Sequence, residues 1–559
     1  MSLLLTPSHR SISDKNPSID FITCLPYHVL DSIFSKVSSL RYLTRCTRVS
    51  KTWRSFLLSW PGLWRDLSDL RLNIARDLVQ YERYFDGKHV RVVHILGRSR
   101  SEQEQAILFL VQHNCYCIET IRIACYPEIN DRLVELFKTT GRSLQSLHVY
   151  SGGSQCVLYT VLQHCTALKD LRYSHSTEGF ETLSPDDVID ENIPTTTPIQ
   201  DLSLDAIMSY PLLENTLRLF PCLKRVDLNA SIVGRDCGHI LEFLATSCPQ
   251  LQQVQFGGDH TAPAYIRNIS TLSSSPPPPA KSAVTAAALQ KDNGSIRVLV
   301  LSQLLGLSDT HLVPLFLKHG KTLEAIHIEA CYTLGDATFS ALAMRGCPHL
   351  RYLCIRLNCF MYEAAASIGD SNHDQQQQPI HFQPHDLCTF IRNAPSLEEV
   401  NFSYLTGVTD PIVEELAELK NLKELEISHC ENVTQQSLCR LIIQQQHNSN
   451  KNGNNHGRQL KSLHLLGMKG VTDQVLSAIA QYMGRQLESL DVGSNDNITE
   501  AGFNAIVDRF SRTKVLKWLG VSHCSKIHPG AYDYACQKLK TTTVYRVNMK
   551  PGYNIVLSR

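Results

Sequence analysis

The 559 residues contain no apolar run of the roughly eighteen that crossing a bilayer would take, so no membrane-spanning helix is expected. Neither charge is in excess. With 54 Lys and Arg against 53 Asp and Glu, the chain lacks the basic surplus that wrapping a nucleic acid needs. The opening MSLLLTPSHR has an apolar patch of three leucines, too short for the core of a secretory signal, and the expected location is cytoplasmic, nuclear or both. The 19 cysteines are odd in number and spread from Cys24 to Cys536, unlike a dense disulfide framework. Their closest cluster, Cys115, Cys117 and Cys125, fits no common zinc spacing. These thiols read as small buried hydrophobes, with no metal and no cofactor expected. Also missing are a phosphate-cradling glycine loop, H-E-x-x-H and G-x-S-x-G, so no catalytic residues and no enzyme activity are expected.

What the chain does have is repetition. The pattern L-x-x-L-x-L recurs as LQSLHV at Leu144, LKDLRY at Leu168, LKRVDL at Leu223 and LQQVQF at Leu251. It continues through LEAIHI at Leu323, LRYLCI at Leu350, LEEVNF at Leu397, LKELEI at Leu422, LKSLHL at Leu460, LESLDV at Leu487 and LKWLGV at Leu516. Weaker copies begin at Val90, Ile118, Ile199, Ile296 and Val544, and most starts lie 24 to 31 residues apart. Positions four and six alternate like a short strand with one buried face. Helical spacing follows, as in Phe339, Leu342 and Ala343 after Asp336, or Val475, Ile479 and Met483 after Thr472. Asp473 falls in a first helical turn, where its charge suits the helix dipole.

One strand and one helix cannot bury both apolar faces alone, but stacked copies can. The expected fold is therefore α/β: a curved solenoid, a horseshoe with parallel strands inside and helices outside. The pattern resembles the leucine-rich repeat, and in particular its cysteine-containing subclass. Cys331, Cys430 and Cys524 stand three residues after position six, with Asn358 and Asn495 at the matching place elsewhere. Cys248-Pro249 and Cys347-Pro348 follow helices, where proline prevents continuation. Insertions near 174–198, 257–295, 361–384 and 444–457 break the period with acidic, Pro-rich or Gln/Asn-rich sequence that cannot bury enough apolar surface to order itself. They read as loops thrown out from the solenoid.

A different module precedes the repeats. Leu30, Ile33, Phe34 and Val37 form one helical stripe behind Pro26; Leu40 and Leu43 form a second; Val49, Trp53, Phe56, Leu57 and Trp60 form a third, closed by Pro61 and Trp64. So small a unit completes its core against something else, and its apolar stripes exceed what three short helices can use. The segment LPYHVLDSIFSKVSSLRYLTRCTRVSKTWRSFLLSWPGLW resembles an F-box, with Leu25, Pro26, Leu30, Ile33, Phe34, Leu40, Leu43, Val49, Ser50, Lys51, Trp53, Arg54 and Trp64 in the family's order. His28 departs from it, standing where an acidic residue is common.

The resemblance implies a non-catalytic substrate adaptor of a Skp–cullin–F-box ubiquitin ligase. Leu25, Pro26, Leu30, Ile33, Phe34, Leu40, Leu43, Val49 and Trp53 would bind the Skp adaptor protein, which is tied to the cullin/RING core. The alternative is a scaffold of the same architecture that uses the F-box only for assembly or localisation. The expected layout is a disordered 1–20, the F-box at 21–65, a connector at 66–89, repeats over 90–550 and a tail at 551–559. Positions three, five and seven of each repeat face the hollow. The candidate cargo-binding residues are accordingly Arg122, His148, Tyr150, Arg172, Asp227, Tyr352, Arg356, Glu426 and Trp518, basic early and acidic later. His94, His148, His327 and His464 all occupy position five, so they read as recognition surface and not as parts of a catalytic triad.

Overall fold

The computed structural model describes residues 20–37, 39–68, 78–96, 99–124, 130–153, 155–175, 196–205, 210–229, 236–257, 295–304, 306–331, 334–356, 383–451 and 460–545. The chain divides into two compact units, residues 1–182 with 188–198, and 183–187 with 199–559. Most of the four expected insertions, with Asn358, lies outside the described residues.

The first unit opens with helices α1 (Phe21–Cys24), α2 (Tyr27–Phe34), α3 (Leu40–Cys46) and α4 (Lys51–Ser59). Pro26 sits just before the first helical position of α2, not on it. The sheet of this unit comprises β1 (Asp66–Leu67), β2 (Val92–Ile95), β3 (Thr120–Ile123), β4 (Ser146–Gly153) and β5 (Asp170–His175). They pair in chain order and always parallel, with a helix between successive strands from β2 onward. The connector expected over 66–89 is partly sheet, because Asp66 and Leu67 pair with Val92 and Val93. Behind it the rings of Trp64 and Phe85 lie 5.4 Å apart, and those of Phe85 and Phe109 5.1 Å, so an aromatic chain links the helical module to the first repeat helix. The module therefore completes its core against its own repeats on that side.

The second unit carries β6 (Asp201–Asp205), β7 (Arg225–Leu228), β8 (Gln253–Phe256), β9 (Val298–Ser302), β10 (Ala325–Glu329) and β11 (Tyr352–Arg356). It continues with β12 (Glu399–Asn401), β13 (Glu424–Glu426), β14 (Ser462–His464), β15 (Ser489–Asp491), β16 (Trp518–Gly520) and β17 (Thr543–Tyr545). All of them pair in parallel with their chain neighbours. The register aligns equivalent positions, so that Ile326, Leu353, Val400, Leu425, Leu463, Leu490, Leu519 and Val544 form one buried row. Each fully buried aliphatic of this kind contributes about 1.5–3 kcal/mol, which explains why positions one, four and six are filled with large apolar side chains, mostly Leu, Ile and Val with Tyr173, Phe256 and Phe402 at position six.

Among the described residues, seven strands of the second unit (β9, β10 and β12 to β16) end in a corner that the leucine pattern does not announce. Two residues past position six the backbone enters the left-handed region, at Gln303, Ala330, Tyr404, His429, Gly467, Ser494 and His523, and only one of these is glycine. The next residue supports the corner from inside. Cys331 donates to the Leu301 and Glu329 carbonyls (3.6 and 3.5 Å), Cys430 to Phe402 (3.2 Å) and Cys524 to Val492 (3.4 Å). Asn495 does the same work with an amide, donating to Leu465 and Val492 (2.8 and 2.9 Å) while accepting from Met468 N (2.6 Å). Burial pushes the Cys331 and Cys430 thiols up to about 12, so both stay neutral and are structural donors.

The helices are tied by a device only half visible in the sequence. Asp473 accepts from Thr499 N at 2.7 Å and from Thr499 Oγ1 at 2.6 Å, and Thr499 is the residue that caps the next helix, Glu500–Thr513. Asp410 holds Thr434 in the same way at 2.8 and 2.7 Å, and Asp309 holds Gly335 N and Thr338 Oγ1 at 2.8 and 2.6 Å. The first-turn carboxylate thus serves the neighbouring repeat as well as its own dipole.

The insertion expected from residue 444 begins later than the composition suggests. The helix Gln435–Lys451 runs through the Gln-rich stretch, with Gln445 and Asn448 buried. Gln445 Nε2 donates to the carbonyls of Ala417 and Leu419 at 3.0 Å each, and Asn448 Nδ2 to Ala417 at 3.1 Å. These amides satisfy the carbonyls left open where the previous helix, Asp410–Glu418, ends. A polar tract can therefore be ordered when its amides meet orphaned backbone acceptors.

Candidate functional sites

The helical module is built around Phe34. Its ring stands within 5.6–6.4 Å of Phe21, Trp53, Phe56 and Trp60, and Leu30, Leu40, Leu43 and Leu57 are buried with it. Asp20, assigned above to the disordered start, caps α1 through Ile22 N (3.2 Å) and accepts from Trp53 Nε1 at 2.9 Å. Asp31 accepts from Trp60 Nε1 at 2.8 Å. Two indole donors are thereby satisfied and α4 is fixed against α1 and α2.

The nine residues expected to bind the adaptor fall into two groups. Leu30, Phe34, Leu40 and Leu43 are internal, each at most 4% exposed, so they shape the module and present no surface to a partner. Leu25 and Trp53 are half-buried; Pro26, Ile33 and Val49 are exposed, the last two at 41% and 62%. Tyr27 and Tyr42, which the sequence reading omitted, are exposed at 57% and 60%. Arg41, Arg45, Arg48, Lys51 and Arg54 are exposed along α3 and α4. The module thus exposes apolar and aromatic side chains on α2, α3 and the α3–α4 turn, with five cations along α3 and α4.

On the sheet of the first unit, His94, Arg122, His148 and Arg172 stand side by side in register. His148 is buried at 5% exposure, while Tyr150 and Arg172 are exposed. Ser146 Oγ donates to Asp170 Oδ2 at 2.8 Å, and His148 Nε2 lies 2.8 Å from that same oxygen. Burial opposes ionisation of Asp170, but the bonds from His148 and Ser146 outweigh it and hold the carboxyl below its usual range. The imidazole is not interposed between hydroxyl and acid, as a nucleophile–base–acid relay requires. This trio is a structural hydrogen-bond cluster.

The second unit presents two rows on the sheet face that positions three and five share. The position-three row reads Asp201, Arg225, Gln253, Val298, Ala325, Tyr352, Glu399, Glu424, Ser462, Ser489, Trp518 and Thr543. Early in it, Asp201 and Arg225 form a two-pronged ion pair at 2.6 and 2.7 Å, and Asp227 in the next row accepts from Ser203 at 3.4 Å. Over β9–β11 the same positions are apolar and buried: Val298, Val300, Ala325, Tyr352 and Cys354 form one cluster. Tyr352, one of the candidate cargo-binding residues, is only 6% exposed. Its hydroxyl is 3.2 Å from His327 Nδ1, while His327 Nε2 is 3.2 Å from Glu329, which also takes Arg356 at 2.6 Å. Burial would lower the His327 pKa, but Cys354 and the Glu329 carboxylate reverse the sign and raise it to about 9.

Beside that buried triad lies a cavity of about 220 Å³ lined by Tyr352, Arg356, Glu399, Glu424, Glu426 and His464, among others. Glu426 accepts from Asn401 Nδ2 at 2.7 Å and from Ser403 Oγ at 3.1 Å. Burial, with Glu424 and Glu398 nearby, pushes the Glu399 carboxyl up to about 7. Past the cavity the rings of His464 and Trp518 stack at 5.7 Å, and those of Trp518 and Tyr545 at 6.2 Å. Of the nine candidate cargo residues, then, the structure gathers Tyr352, Arg356 and Glu426 around one cavity and puts Trp518 farther along the same face. Glu399 and Glu424 join them there. Asp227 lies apart on β7, and the four basic or aromatic candidates belong to the other unit.

Two comparisons bear on this chain. A family model described as F-box-like matches residues 22–69, the segment that folds as the Phe34-centred module and runs into β1. Among solved structures, a similar chain comes from the crystal structure of the Rad7 and Elc1 complex in yeast, at 12% sequence identity and a TM-score of 0.40. The alignment covers 82% of this chain and 88% of that one.

Proposed function

We propose that the chain is a substrate-recognition adaptor of a Skp–cullin–F-box ubiquitin ligase, non-catalytic itself, acting in the cytoplasm or nucleus. Its F-box-like module docks a Skp-type adaptor protein, and its leucine-rich repeats hold a protein to be modified. The observation that carries the reading is the F-box-like segment 22–69, folded so that Phe34 and its neighbours make a core while Pro26, Tyr27, Ile33, Tyr42 and Val49 remain on the surface. An apolar, aromatic patch of this kind on an otherwise polar small module is a docking surface. Its rim of Arg and Lys calls for a partner with an apolar groove edged by carboxylates. The adaptor's contribution to ubiquitination is proximity: holding a substrate lysine near a charged thioester raises its effective concentration.

The test separates docking from folding. Ile33→Asp/Val49→Asp changes only exposed positions, so the chain should fold and lose co-purification with the Skp adaptor and cullin. Retention of both partners by this variant, or no binding by the wild type, would refute the adaptor role.

A further inference from the structure

We propose that the sheet face of the second unit between β11 and β16 docks an extended, Lys/Arg-rich segment of the cargo protein, its cations seated on Glu399, Glu424 and Glu426. The inference rests on the substrate-receptor reading and gives the cargo a chemistry.

The carboxylates of this sheet are of two kinds, paired and unpaired. Glu398 is held by Arg351 at 2.8 Å and Lys423 at 2.6 Å, and Glu488 by Lys461 at 2.9 Å and by Lys517. The carboxylates of Glu399 and Glu424, which face each other in register on β12 and β13, have neither a hydrogen bond nor an ion pair among the described residues. Neighbouring strands stand ~4.8 Å apart, so two carboxylates are held side by side, and the cations that act on Glu399 through space, Arg351 and Lys423, are themselves bonded to Glu398. A fold that pairs the carboxylates one position away and leaves these two open has kept them for an external cation. Burial first, and then the Glu424 and Glu398 carboxylates, push the Glu399 carboxyl up to about 7, against the smaller opposing pull of Lys423 and Arg351. Arg356, which lines the same cavity, is already bound to Glu329.

The shape of the face argues for an extended peptide. Ser462 and Ser489, both small, floor the position-three row between Glu424 and Trp518. Tyr352 bounds it on one side and the stacked rings of His464, Trp518 and Tyr545 on the other, where a guanidinium can rest on an aromatic face. From β11 to β16 is five strand spacings, roughly 24 Å, the reach of about seven extended residues. Among the described residues no group of three ligand-type side chains converges to hold a metal ion. A nucleic acid would be repelled.

The experiment uses the full chain and three fluorescein-labelled nonapeptides: Arg/Ser, Glu/Ser and Gln/Ser. Fluorescence anisotropy should show the Arg/Ser probe bound at least tenfold more tightly than the others. Glu399→Gln/Glu424→Gln should weaken it at least tenfold with a melting temperature equal to or above that of the wild type, since the variant relieves a like-charge pair, and Trp518→Ala should weaken it less. Equal binding of the Arg/Ser probe by wild type and the glutamine variant, preference for the Glu/Ser probe, or no binding of the Arg/Ser probe would overturn the inference. Binding of the Skp adaptor by the same preparations is measured in parallel. Adaptor binding without peptide discrimination sinks this inference alone; peptide discrimination without adaptor binding sinks the ligase reading and leaves the basic-segment site standing.

Discussion

Asp473 gives the sharpest test of how the repeats are joined. Its two oxygens accept from the backbone N and the hydroxyl of Thr499 at 2.7 and 2.6 Å, across the boundary between successive helices. A carboxylate that only compensated its own helix dipole would contribute about 0.3–1 kcal/mol, and its replacement by alanine would be partly offset by alanine's better helix propensity. A carboxylate closing two charge-assisted bonds contributes more, about 1.5–3 kcal/mol for each before solvent screening. Asp473→Ala strands both Thr499 donors beneath a half-buried site and should cost ~3 kcal/mol. Asp473→Asn keeps one acceptor and should cost ~1 kcal/mol. Because solenoid repeats stabilise one another mainly through nearest neighbours, the loss should be concentrated in the helix Glu500–Thr513. Native-state amide exchange resolved by segment reads it. A cost below 1 kcal/mol for both variants, or exchange rising equally in remote repeats, would refute the clamp. The clamp also explains Gly502, where a Cβ would stand 2.4 Å from Asp473 Oδ1.

Other expectations follow from the same geometry. Phe34→Ala should destabilise the helical module by about 3–5 kcal/mol and abolish adaptor binding by unfolding it, whereas Ile33→Asp should abolish binding with the near-ultraviolet circular dichroism intact. Gln303→Gly relieves a left-handed side chain at an exposed corner, so it should raise stability by up to about 1 kcal/mol in a urea titration; a loss of that size would contradict the strain argument. His327 has its folded pKa raised to about 9, so the stabilisation by its protonated ring is complete below the unfolded value of about 6.5 and is lost as pH rises through 9. Selective ¹⁵N-histidine spectra should show this ring still protonated at pH 8, and a midpoint below 7 would contradict the His327–Glu329 pairing.

The repeats were legible because their signal is redundant. Leucine at positions one, four and six recurs in copy after copy, and the strands lie on such copies apart from β1 at the module's edge and β17, where the copy expected to begin at Val544 is out of phase, since Val544 pairs with Leu519 and so holds position four. The corners were not legible, because a left-handed φ at Tyr404 or His429 is imposed by the turn between strand and helix and leaves no glycine behind. Gln445 and Asn448 were misread for a related reason: composition reports what a segment lacks in apolar surface, not which orphaned carbonyls it can meet. In the helical module the stripe Leu30, Ile33, Phe34 and Val37 located the helix but could not tell its core side from its outer side. Phe34 went inward and Ile33 outward because four aromatic rings converge on one of them. Asp20 could have been found, since an aspartate just before an apolar helical turn is an N-cap signal. Glu399 and Glu424 stood in the pattern at position three; their distinction, having no ion pair among the described residues, depends on Arg351 and Lys423 bonding to Glu398 instead, and that is tertiary information.

The central claim is that one chain couples a ligase to a cargo. Its most direct measurement is the half-life of proteins that co-purify with the chain, in cells whose only copy is either wild type or Ile33→Asp/Val49→Asp. The account predicts that at least one associated protein still binds the variant yet persists severalfold longer and loses its ubiquitin conjugates. Unchanged half-lives and conjugates for every associated protein, with adaptor binding demonstrably lost, would contradict it and leave a scaffold without a degradative role.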